Sequence, residues 1–317
     1  MYKNFEENAK LITILTPCYN EEGNVEELFF KIKNIMENTP YNYEHLFIDN
    51  NSSDNTVLIL RKISSNYPNL KIIINTRNFG HIRSPYYGLL QANGDAVISI
   101  ASDFQDPPEL IPKFIEKWEE GYKLAIGVKT TSKEPKPLFF LRKTFYRILR
   151  TISDVPLIDN FTGFGLYDQS VIKILRNLND PYPYFRGLIA EIGIEYIKIE
   201  YTQPIRKKGV TKNNFYTLYD MAMLGLTNYS KAPLRLATML GFFIAIISFV
   251  VGLGYLIYKL LFWKEFSLGL APVIIGIFFS GSVQLLFLGI VGEYIGAIYT
   301  KLTNHPLVIE KERINFD

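Results

Sequence analysis

Between residues 11 and 127 the chain alternates short apolar runs with longer amphipathic stretches. The apolar runs are five to seven residues long, as expected of strands buried on both faces of a sheet. They lie at 11–16, 45–50, 71–75, 95–101 and 123–127. After the first run, residues 22–37 place apolar side chains at helical spacing on one face. These are Val25, Leu28, Phe29, Ile32, Ile35 and Met36. The alternation predicts an α/β domain with a mostly parallel sheet.

Three polar segments follow predicted strands directly. TPCYNEEGN closes the first strand, DNNSSDNT the second and ASDFQDPPE the fourth. Ligands of parallel α/β sheets bind at the carboxyl ends of the strands. We therefore expect the three segments to share one crevice.

The stretch from 128 to 232 is less regular and contains two amphipathic segments, 138–152 and 215–229. The first opposes an apolar face to four cations, Arg142, Lys143, Arg147 and Arg150. A helix packed on the core and a helix lying on a membrane surface both explain such a pattern. The basic polar face and the apolar segments that follow favour the membrane surface, and both interpretations stay open.

Two segments, 236–258 and 266–292, contain no charged residue. Each is long enough to cross a bilayer, which takes about 20 apolar residues. The sequence therefore divides into four parts. They are an α/β core at 1–127, a part with two amphipathic segments at 128–232, two transmembrane helices within 233–300 (about 236–258 and 268–292), and a tail at 301–317.

The cations around these segments predict their orientation. Lys231 and Arg235 precede the first, and Lys301, Lys311 and Arg313 follow the second. The positive-inside rule then places both flanks in the cytosol and the connector at 259–265 outside.

Glu293 lies at the end of the second segment. It is either a functional charge inside the membrane or an interfacial one. Its neighbours Tyr294 and Lys301 favour the interfacial position.

Composition agrees with a soluble part joined to membrane segments. Of the 317 residues 48% are hydrophobic, and the mean hydropathy is +0.07. Cys18 is the only cysteine, which excludes an intrachain disulfide and a four-cysteine zinc site and suits a reduced, cytosolic domain. The N-terminal sequence MYKNFEENAK has no apolar signal region, so we expect no cleaved secretory signal.

The net charge of +3 hides an asymmetry along the chain. Residues 1–120 carry 17 acidic and 11 basic side chains, whereas residues 121–236 carry 9 acidic and 18 basic ones. A basic block that leads into membrane-type sequence suits anionic lipid headgroups or a phosphate ligand. We expect no nucleic-acid partner.

The strand ends carry the candidate chemistry. No G-x-G-x-x-G follows the first strand, which argues against a dinucleotide dehydrogenase. Asp103 and Gln105 alternate after the fourth strand, so on an extended backbone both could face one divalent cation. Asp49 ends a buried strand and is a candidate nucleoside contact.

Helix capping is the alternative role for several polar residues in these segments. Capping is one explanation of Asn20 and Glu21. It is the favoured one for Asp54, and for Asp106, which stands directly before Pro107.

Taken in order, these segments resemble the family-2 glycosyltransferases with a GT-A fold. The branch that they resemble contains dolichyl-phosphate mannose synthase and the bacterial undecaprenyl-phosphate glucosyl- and aminoarabinosyl-transferases. The resemblance spans nearly the whole chain. Its motifs are P-C-Y-N-E-E (17–22), the strand end at Asp49, R-N-F-G (77–80), D-F-Q-D-P-P-E (103–109), W-E-E-G-Y (118–122), F-Y-R (145–147), R-G-L (186–188), R-K-K-G-V-T-K (206–212) and K-A-P-L-R-L-A-T (231–238).

The resemblance implies a Rossmann-like nucleotide-sugar domain with amphipathic interface helices and a C-terminal transmembrane hairpin. The implied nucleotide-sugar contacts are Pro17, Tyr19, Asn20, Glu21, Asp49, Asn51, Asn78, Ser102 and Asp103. Asp103 and Gln105 would hold a divalent metal, Mg²⁺ or Mn²⁺. The implied lipid-phosphate contacts are Arg142, Lys143, Arg147, Arg206 and Lys212, and catalysis would rest on Asp103, Arg206 and Lys212.

The expected activity is inverting transfer of a sugar from a nucleoside diphosphate to a polyisoprenyl phosphate. It would take place on the cytosolic face of the cytoplasmic membrane, for a cell-envelope glycan, and a homo-oligomer is possible. Three positions depart from the family pattern, with Asn50, Ala101 and Gly163 standing where acidic residues are usual. They motivate an alternative, an inactive membrane-bound scaffold. A processive polysaccharide synthase is disfavoured, because its Q-x-x-R-W signature is absent.

Overall fold

The computed structural model of the protein describes residues 10–131, 151–153, 155–204, 215–262, 270–303 and 305–316. Its strands are β1 (Leu11–Cys18), β2 (Asn42–Asp49), β3 (Leu70–Asn75), β4 (Ala96–Ser99), β5 (Leu124–Thr131), β6 (Phe161–Asp168), β7 (Ile197–Thr202) and β8 (Glu310–Ile314). Its helices are α1 (Val25–Glu37), α2 (Thr56–Ser64), α3 (Gly80–Gln91), α4 (Ile111–Glu119), α5 (Gln169–Leu178), α6 (Phe185–Ile192), α7 (Phe215–Tyr229), α8 (Ala232–Leu261) and α9 (Leu270–Leu302).

The eight described strands form one sheet in the order β7-β5-β6-β4-β1-β2-β3-β8. β1 is parallel to β2 and β4, β2 is parallel to β3, and β5 is parallel to β7. β6 runs antiparallel to both β4 and β5, and β8 runs antiparallel to β3. The predicted α/β class and the five predicted strands are confirmed, while β6, β7 and β8 were not anticipated.

Helices cover both faces of the sheet, which explains why its central strands are almost continuously apolar. On one face Ile12 and Ile14 of β1 pack with Leu28 of α1 and Phe114 of α4. On the other face Leu15 of β1 belongs to a cluster with residues of α3, α5 and α6. Because strand side chains alternate between faces, β1, β4, β5 and β6 each supply both clusters. This packing fixes the positions, along the strand direction, at which β1, β2 and β4 end.

The C-terminal segment completes the sheet beside β3. Glu312 forms a bidentate pair with Arg61 of α2, and the Asn315 amide donates to the carbonyl oxygens of Ser64 and Leu70 at 3.1 and 2.9 Å. The Tyr87 hydroxyl donates to Glu310 at 2.8 Å. Residues predicted only as a tail are therefore part of the folded domain.

α8 and α9 are 30 and 33 residues long, so they extend beyond the uncharged segments of the sequence. Their most apolar windows have mean hydropathies of 2.5 and 2.2, and none of these windows is buried inside the protein. At about 1.5 Å per residue each helix exceeds the ~30 Å hydrocarbon core of a bilayer. Both are long and apolar enough to cross a membrane.

α7 forms as a helix over the predicted stretch 215–229 and contacts α9. The Tyr219 hydroxyl donates to Glu293 Oε1 at 2.8 Å, and the Tyr294 hydroxyl donates to the Ser230 carbonyl at 2.6 Å. Glu293 lies nine residues, about two and a half turns, before the end of α9, because the helix continues past the uncharged segment to Leu302. Of the predicted helix at 138–152, all but the last two residues lie outside the described residues.

The strand directions fix where the chain leaves the sheet for its apolar helices. β7 runs parallel to β1 through β5, β6 and β4, and β8 runs antiparallel to β3 with Glu310 opposite Asn75. The end of β7 and the start of β8 therefore lie at one edge of the sheet. It is the edge at which β1, β2, β3 and β4 all end.

Candidate active site

At this carboxyl edge the loops after β1 and β2 are joined by hydrogen bonds. The Asn20 N–H donates to Ser52 Oγ at 2.8 Å, and Asn20 Oδ1 accepts the Ser53 N–H at 2.7 Å. The Glu21 N–H donates to Thr56 Oγ1 at 2.8 Å. The Asn20 side chain is thus turned to the neighbouring loop and does not cap α1. Sequence separation hid this link, because its partners lie more than 30 residues apart.

Asp49 is completely buried where β2 ends. Its Oδ2 accepts the Ser52 N–H at 2.9 Å, and its Oδ1 accepts the Ser52 hydroxyl and lies 3.8 Å from Cys18 Sγ. Burial raises the pKa of Asp49, and the hydrogen bonds from Ser52 act in the opposite direction. In this structure Asp49 organises the loop that carries Asn51, which is exposed with a φ of 64°. A nucleoside contact by Asp49 stays a prediction.

Asp54 precedes Asn55, the N-cap residue of α2, so it is not the predicted N-cap itself, but its side chain accepts a backbone N–H at the start of the helix. Its Oδ1 accepts the N–H of Thr56, the first residue of the helix, at 3.0 Å. Its Oδ2 accepts the Glu22 N–H at 3.1 Å. The hydrogen bonds from Thr56 outweigh partial burial and lower the pKa of Asp54. Asp54 therefore ties the start of α2 to the loop after β1.

The loop after β4 carries Ser102, Asp103 and Gln105, but it is not extended as the sequence suggested. Asp103 Oδ1 accepts the Gln105 N–H at 3.1 Å and closes a tight turn. Phe104, between them, has a φ of 61°, and its ring is buried in the core below. The simple alternation that would point Asp103 and Gln105 the same way is therefore wrong. The turn, not strand geometry, brings the two residues together.

Asp106 does not cap the following helical turn, contrary to the prediction. It is buried, with Oδ2 accepting the Ala101 N–H at 3.2 Å and Oδ1 accepting the Tyr201 hydroxyl at 2.9 Å. Burial raises the pKa of Asp106, while Tyr201 and the charge of Lys129 oppose that shift. Sequence reasoning missed Tyr201 and Lys129, because no local pattern connects them with Asp106.

The loop residues fit a divalent cation shared with a substrate. The Asp103 carboxylate and the Gln105 amide oxygen are hard oxygen donors of the kind that Mg²⁺ and Mn²⁺ prefer. No group of three or more His, Cys, Asp or Glu side chains gathers around an ion site in the described part of the chain. Phosphate oxygens and water would have to complete the coordination, as is usual for Mg²⁺ in nucleotide sites.

Gly163 lies on β6 with a φ of +103°, a conformation that side chains rarely adopt. A Cβ there would lie 3.5 Å from the Phe185 ring, which is an ordinary contact, so the obstacle is the backbone conformation. An acidic side chain at this position would be strained, so the departure from the family pattern matches the backbone. Asp159, which lies just before β6, is exposed.

The remaining predicted residues divide into two groups. Pro17 and Tyr19 are partly buried at the end of β1, and Asn78 is exposed after β3, at the same edge of the sheet. The predicted phosphate-binding cations all lie outside the described residues. These are Arg142, Lys143, Arg147, Arg206 and Lys212.

Comparison with known proteins identifies the family to which the chain belongs. The model of the family described as "Glycosyl transferase family 2" matches residues 13–175, about half of the chain. The uncharacterized glycosyltransferase YkcC of Bacillus subtilis is 36% identical over 300 residues, which cover 94% of this chain and 92% of that protein. The bactoprenol glucosyl transferase of Shigella phage SfII is 33% identical over 304 residues, which cover 95% and 97%.

Among solved structures, the glucosyl-3-phosphoglycerate synthase of Mycobacterium tuberculosis, crystallised with Mn²⁺, UDP-glucose and phosphoglyceric acid, aligns with 69% of this chain and 78% of its own. The identity is 15% and the TM-score 0.45. This chain belongs to glycosyl transferase family 2, which also contains the bactoprenol glucosyl transferases, and it is a glycosyltransferase.

Proposed function

We propose that this glycosyltransferase moves a sugar from a nucleoside diphosphate to a polyisoprenyl phosphate at the cytosolic face of a membrane. The observation that carries the proposal is the position of the crevice. The connections to α8 and from α9 leave the sheet at the same edge as the loops with Asp49 and Asp103. With α8 and α9 in a bilayer, the crevice opens towards the lipid surface.

An acceptor at that surface fits this orientation. A polyisoprenyl phosphate keeps its chain in the bilayer and its phosphate at the headgroup level, where a crevice facing the membrane can reach it. Relatives that are 33% identical across almost the whole chain are named bactoprenol glucosyl transferases, and their name indicates a lipid-linked acceptor. The predicted cations at 142–150 and 206–212 would gather that phosphate.

A phosphate acceptor also explains why no general base is needed at position 163. The second pKa of a phosphate monoester is about 6, so its oxygen is already largely deprotonated at neutral pH. One phosphate oxygen attacks the anomeric carbon, the bond from that carbon to the donor diphosphate breaks, and the nucleoside diphosphate leaves with the electron pair. Catalysis then depends on alignment and on neutralising the leaving group.

Asp103 and Gln105 would hold the divalent cation against the donor diphosphate. When bound, the cation supplies Lewis-acid stabilisation of the leaving phosphate charge. Ser102 and the loops after β1 and β2 would hold the nucleotide, and Arg206 and Lys212 would orient the two phosphates. The displacement is in line and inverts the anomeric configuration.

The strand β8 bears on the membrane topology. Because Glu310–Ile314 pairs with β3, the segment after α9 has to lie on the same side of the membrane as the catalytic domain. Two crossings satisfy this condition, and the flanking cations favour the cytosol. Cysteine labelling from outside intact cells tests it. A cysteine at position 263 should react and one at the exposed position 311 should not, and the reverse result would contradict the topology.

The function itself is tested with purified protein in nanodiscs. Undecaprenyl phosphate and a panel of radiolabelled UDP- and GDP-sugars are incubated with wild type and with Asp103→Ala. We expect one donor to give a labelled product that extracts into organic solvent, with wild type only. Absence of transfer from every donor would favour the inactive scaffold.

A further inference from the structure

The side-chain amide of Asn50 joins β2 to the segment that follows β3. Its Nδ2 donates to Asn78 Oδ1 at 2.8 Å and to the Gly80 carbonyl at 3.2 Å. Its Oδ1 accepts the Phe79 N–H at 2.9 Å and Asn75 Nδ2 at 3.1 Å. Asn50 is 6% exposed and Asn75 is fully buried, so the bond between these two amides is shielded from water, and the other three bonds are partly buried.

Only a side-chain amide satisfies all four hydrogen-bond partners of Asn50, because it donates at one end and accepts at the other. The Phe79 N–H can only donate and the Gly80 carbonyl can only accept, so together they fix which end of the Asn50 amide points where. An ionised carboxylate at this position could accept the Phe79 N–H. It would also face the Gly80 carbonyl and Asn78 Oδ1 without a proton to share. The acidic residue that the family resemblance leads one to expect does not suit this surrounding.

The segment that the Asn50 amide holds belongs to the candidate donor crevice. It contains Asn78, a predicted nucleotide contact whose Oδ1 also accepts the Gly80 N–H at 2.7 Å. It continues into α3, and the Asn75 amide, which donates to Ser84 Oγ at 3.0 Å, links β3 to that helix. The guanidinium of Arg77 stacks 4.1 Å from the centre of the Phe79 ring. Asn50 therefore bonds three consecutive residues of this segment, Asn78, Phe79 and Gly80.

We propose that Asn50 is a positioning residue that fixes residues 77–80 at the nucleotide-binding side of the crevice, so that the amide replaces an acid without loss of donor binding. This rests on the proposed function, because it takes the crevice to bind a nucleoside diphosphate. Asn50 acts through Asn78 and does not itself contact the donor.

Asn50→Asp is the decisive variant, because its behaviour depends on one proton. As a carboxylate it repels the Gly80 carbonyl, and as a neutral acid it regains a donor for it. The ligand is UDP or GDP, whichever the wild type binds with Mg²⁺, and its affinity is measured by calorimetry at pH 8 and pH 6. We expect binding about tenfold weaker at pH 8 and a recovery of most of that loss at pH 6.

Three further proteins make the comparison specific. Asn50→Ala should bind the nucleotide about tenfold more weakly at both pH values, because it has no proton to regain. Asn34→Asp, which adds the same charge on the exposed face of α1, should match the wild type. The wild type and Asn50→Ala also report any titration of the nearby groups Asp49, Cys18 and His81.

Hydrogen exchange provides a readout that does not depend on the ligand. Peptides covering 77–80 should exchange faster in Asn50→Ala than in the wild type, while peptides of β1 and β2 stay protected. If Asn50→Asp does not fold, this measurement and the binding of Asn50→Ala decide. Unchanged exchange at 77–80, or equal affinity of Asn50→Asp at both pH values, would overturn the proposal.

The outcomes also separate this proposal from the proposed function. A wild type that binds the nucleotide but transfers no sugar would contradict the proposed activity and leave the role of Asn50 standing. A wild type that binds neither nucleotide would overturn both.

Discussion

The hydroxyl of Tyr201 on β7 donates to Oδ1 of Asp106 at 2.9 Å, and so ties the loop with Asp103 to the strand that precedes the apolar helices. The hydroxyl remains protonated and able to donate, because burial and the charge of Asp106 raise the pKa of Tyr201. One buried hydrogen bond thus links the candidate metal-binding loop to β7, the strand from which the chain continues to its apolar helices.

Tyr201→Phe should weaken metal-dependent transfer. It leaves one Asp106 oxygen buried without its hydroxyl partner, at a cost of about 1–3 kcal/mol. We expect a several-fold higher Mg²⁺ concentration for half-maximal activity, with little change in lipid dependence. Tyr41→Phe, which removes a surface bond to Glu119, serves as the control. An identical Mg²⁺ dependence in wild type and Tyr201→Phe would contradict the link.

Asp103→Asn should reduce transfer at least about 100-fold, because the amide replaces the anionic ligand of the proposed cation. The measurement is the initial rate with and without chelator. Asp95→Asn is a suitable control, since Asp95 accepts the Leu11 N–H at 2.8 Å but lies at the other end of β4. Transfer that persists in Asp103→Asn, or that ignores the chelator, would refute the assignment.

His45 should make the catalytic domain less stable in acid. It is fully buried between aromatic rings, its Nε2 lies 2.9 Å from Thr16 Oγ1, and burial lowers its pKa to about 3. In the unfolded chain His45 therefore binds a proton near pH 6.5, whereas in the folded chain it stays neutral at that pH. The contribution of neutral His45 to the free energy of unfolding is fully present above pH 6.5. Below that pH it falls by about 1.4 kcal/mol per pH unit, down to the pKa of His45 in the folded chain.

The check is the apparent Tm from pH 7.5 to 4.5 in wild type and His45→Gln. Burial also lowers the pKa of His81, so a part of the slope should remain in the variant. Parallel curves for the two proteins would mean that His45 does not carry the effect.

Removal of residues 309–317 should destabilise the domain by several kcal/mol, because the bonds of β8 to β3 and α2 are lost together. The readouts are thermal unfolding and proteolysis. Arg61→Ala breaks only an exposed ion pair and should cost less than about 1 kcal/mol. A truncated protein as stable as the wild type would show that β8 is dispensable.

Transfer without a general base predicts a simple pH profile. The rate should rise near pH 6 with the second ionisation of the acceptor phosphate. Asp159→Asn should follow the same curve, since the carboxylate is exposed and unnecessary for an acceptor already ionised. A collapse of its rate with donor and lipid binding intact would identify Asp159 as the base.

The sequence predicts the central strands because they are apolar on both faces. The strands it misses are of another kind. β6 contains Gly163 and Gly165, and at Gly165 a Cβ would come within 2.5 Å of the Ala125 carbonyl, so close backbone approach replaces side-chain packing. β8 reads EKERI, a charged edge strand without an apolar run. Neither pattern resembles that of a buried strand.

The candidate site, like the sheet, is predicted only in part from the sequence. Strand-end position is a local property, so the sequence locates Asp49 and Asp103 at one edge of the sheet, whereas Asn78 is a candidate only through the family resemblance. Partners are not local. Asp106 was interpreted from Pro107 beside it, whereas its hydroxyl donor lies 95 residues further along the chain. The role of Asn50 likewise depends on the Phe79 N–H and the Gly80 carbonyl, which follow the next strand, β3.

β8 also has a consequence for biosynthesis. Asn315 bonds the carbonyl of Leu70, which is made 245 residues earlier. At roughly 5–20 residues per second a ribosome needs on the order of 10–50 s for that interval, and β3 waits as an open edge while both apolar helices are made. Unpaired edges invite association with other chains. Nascent chains delayed at this stage should therefore depend most on chaperones, and the sheet is closed beside β3 only after β8 has emerged.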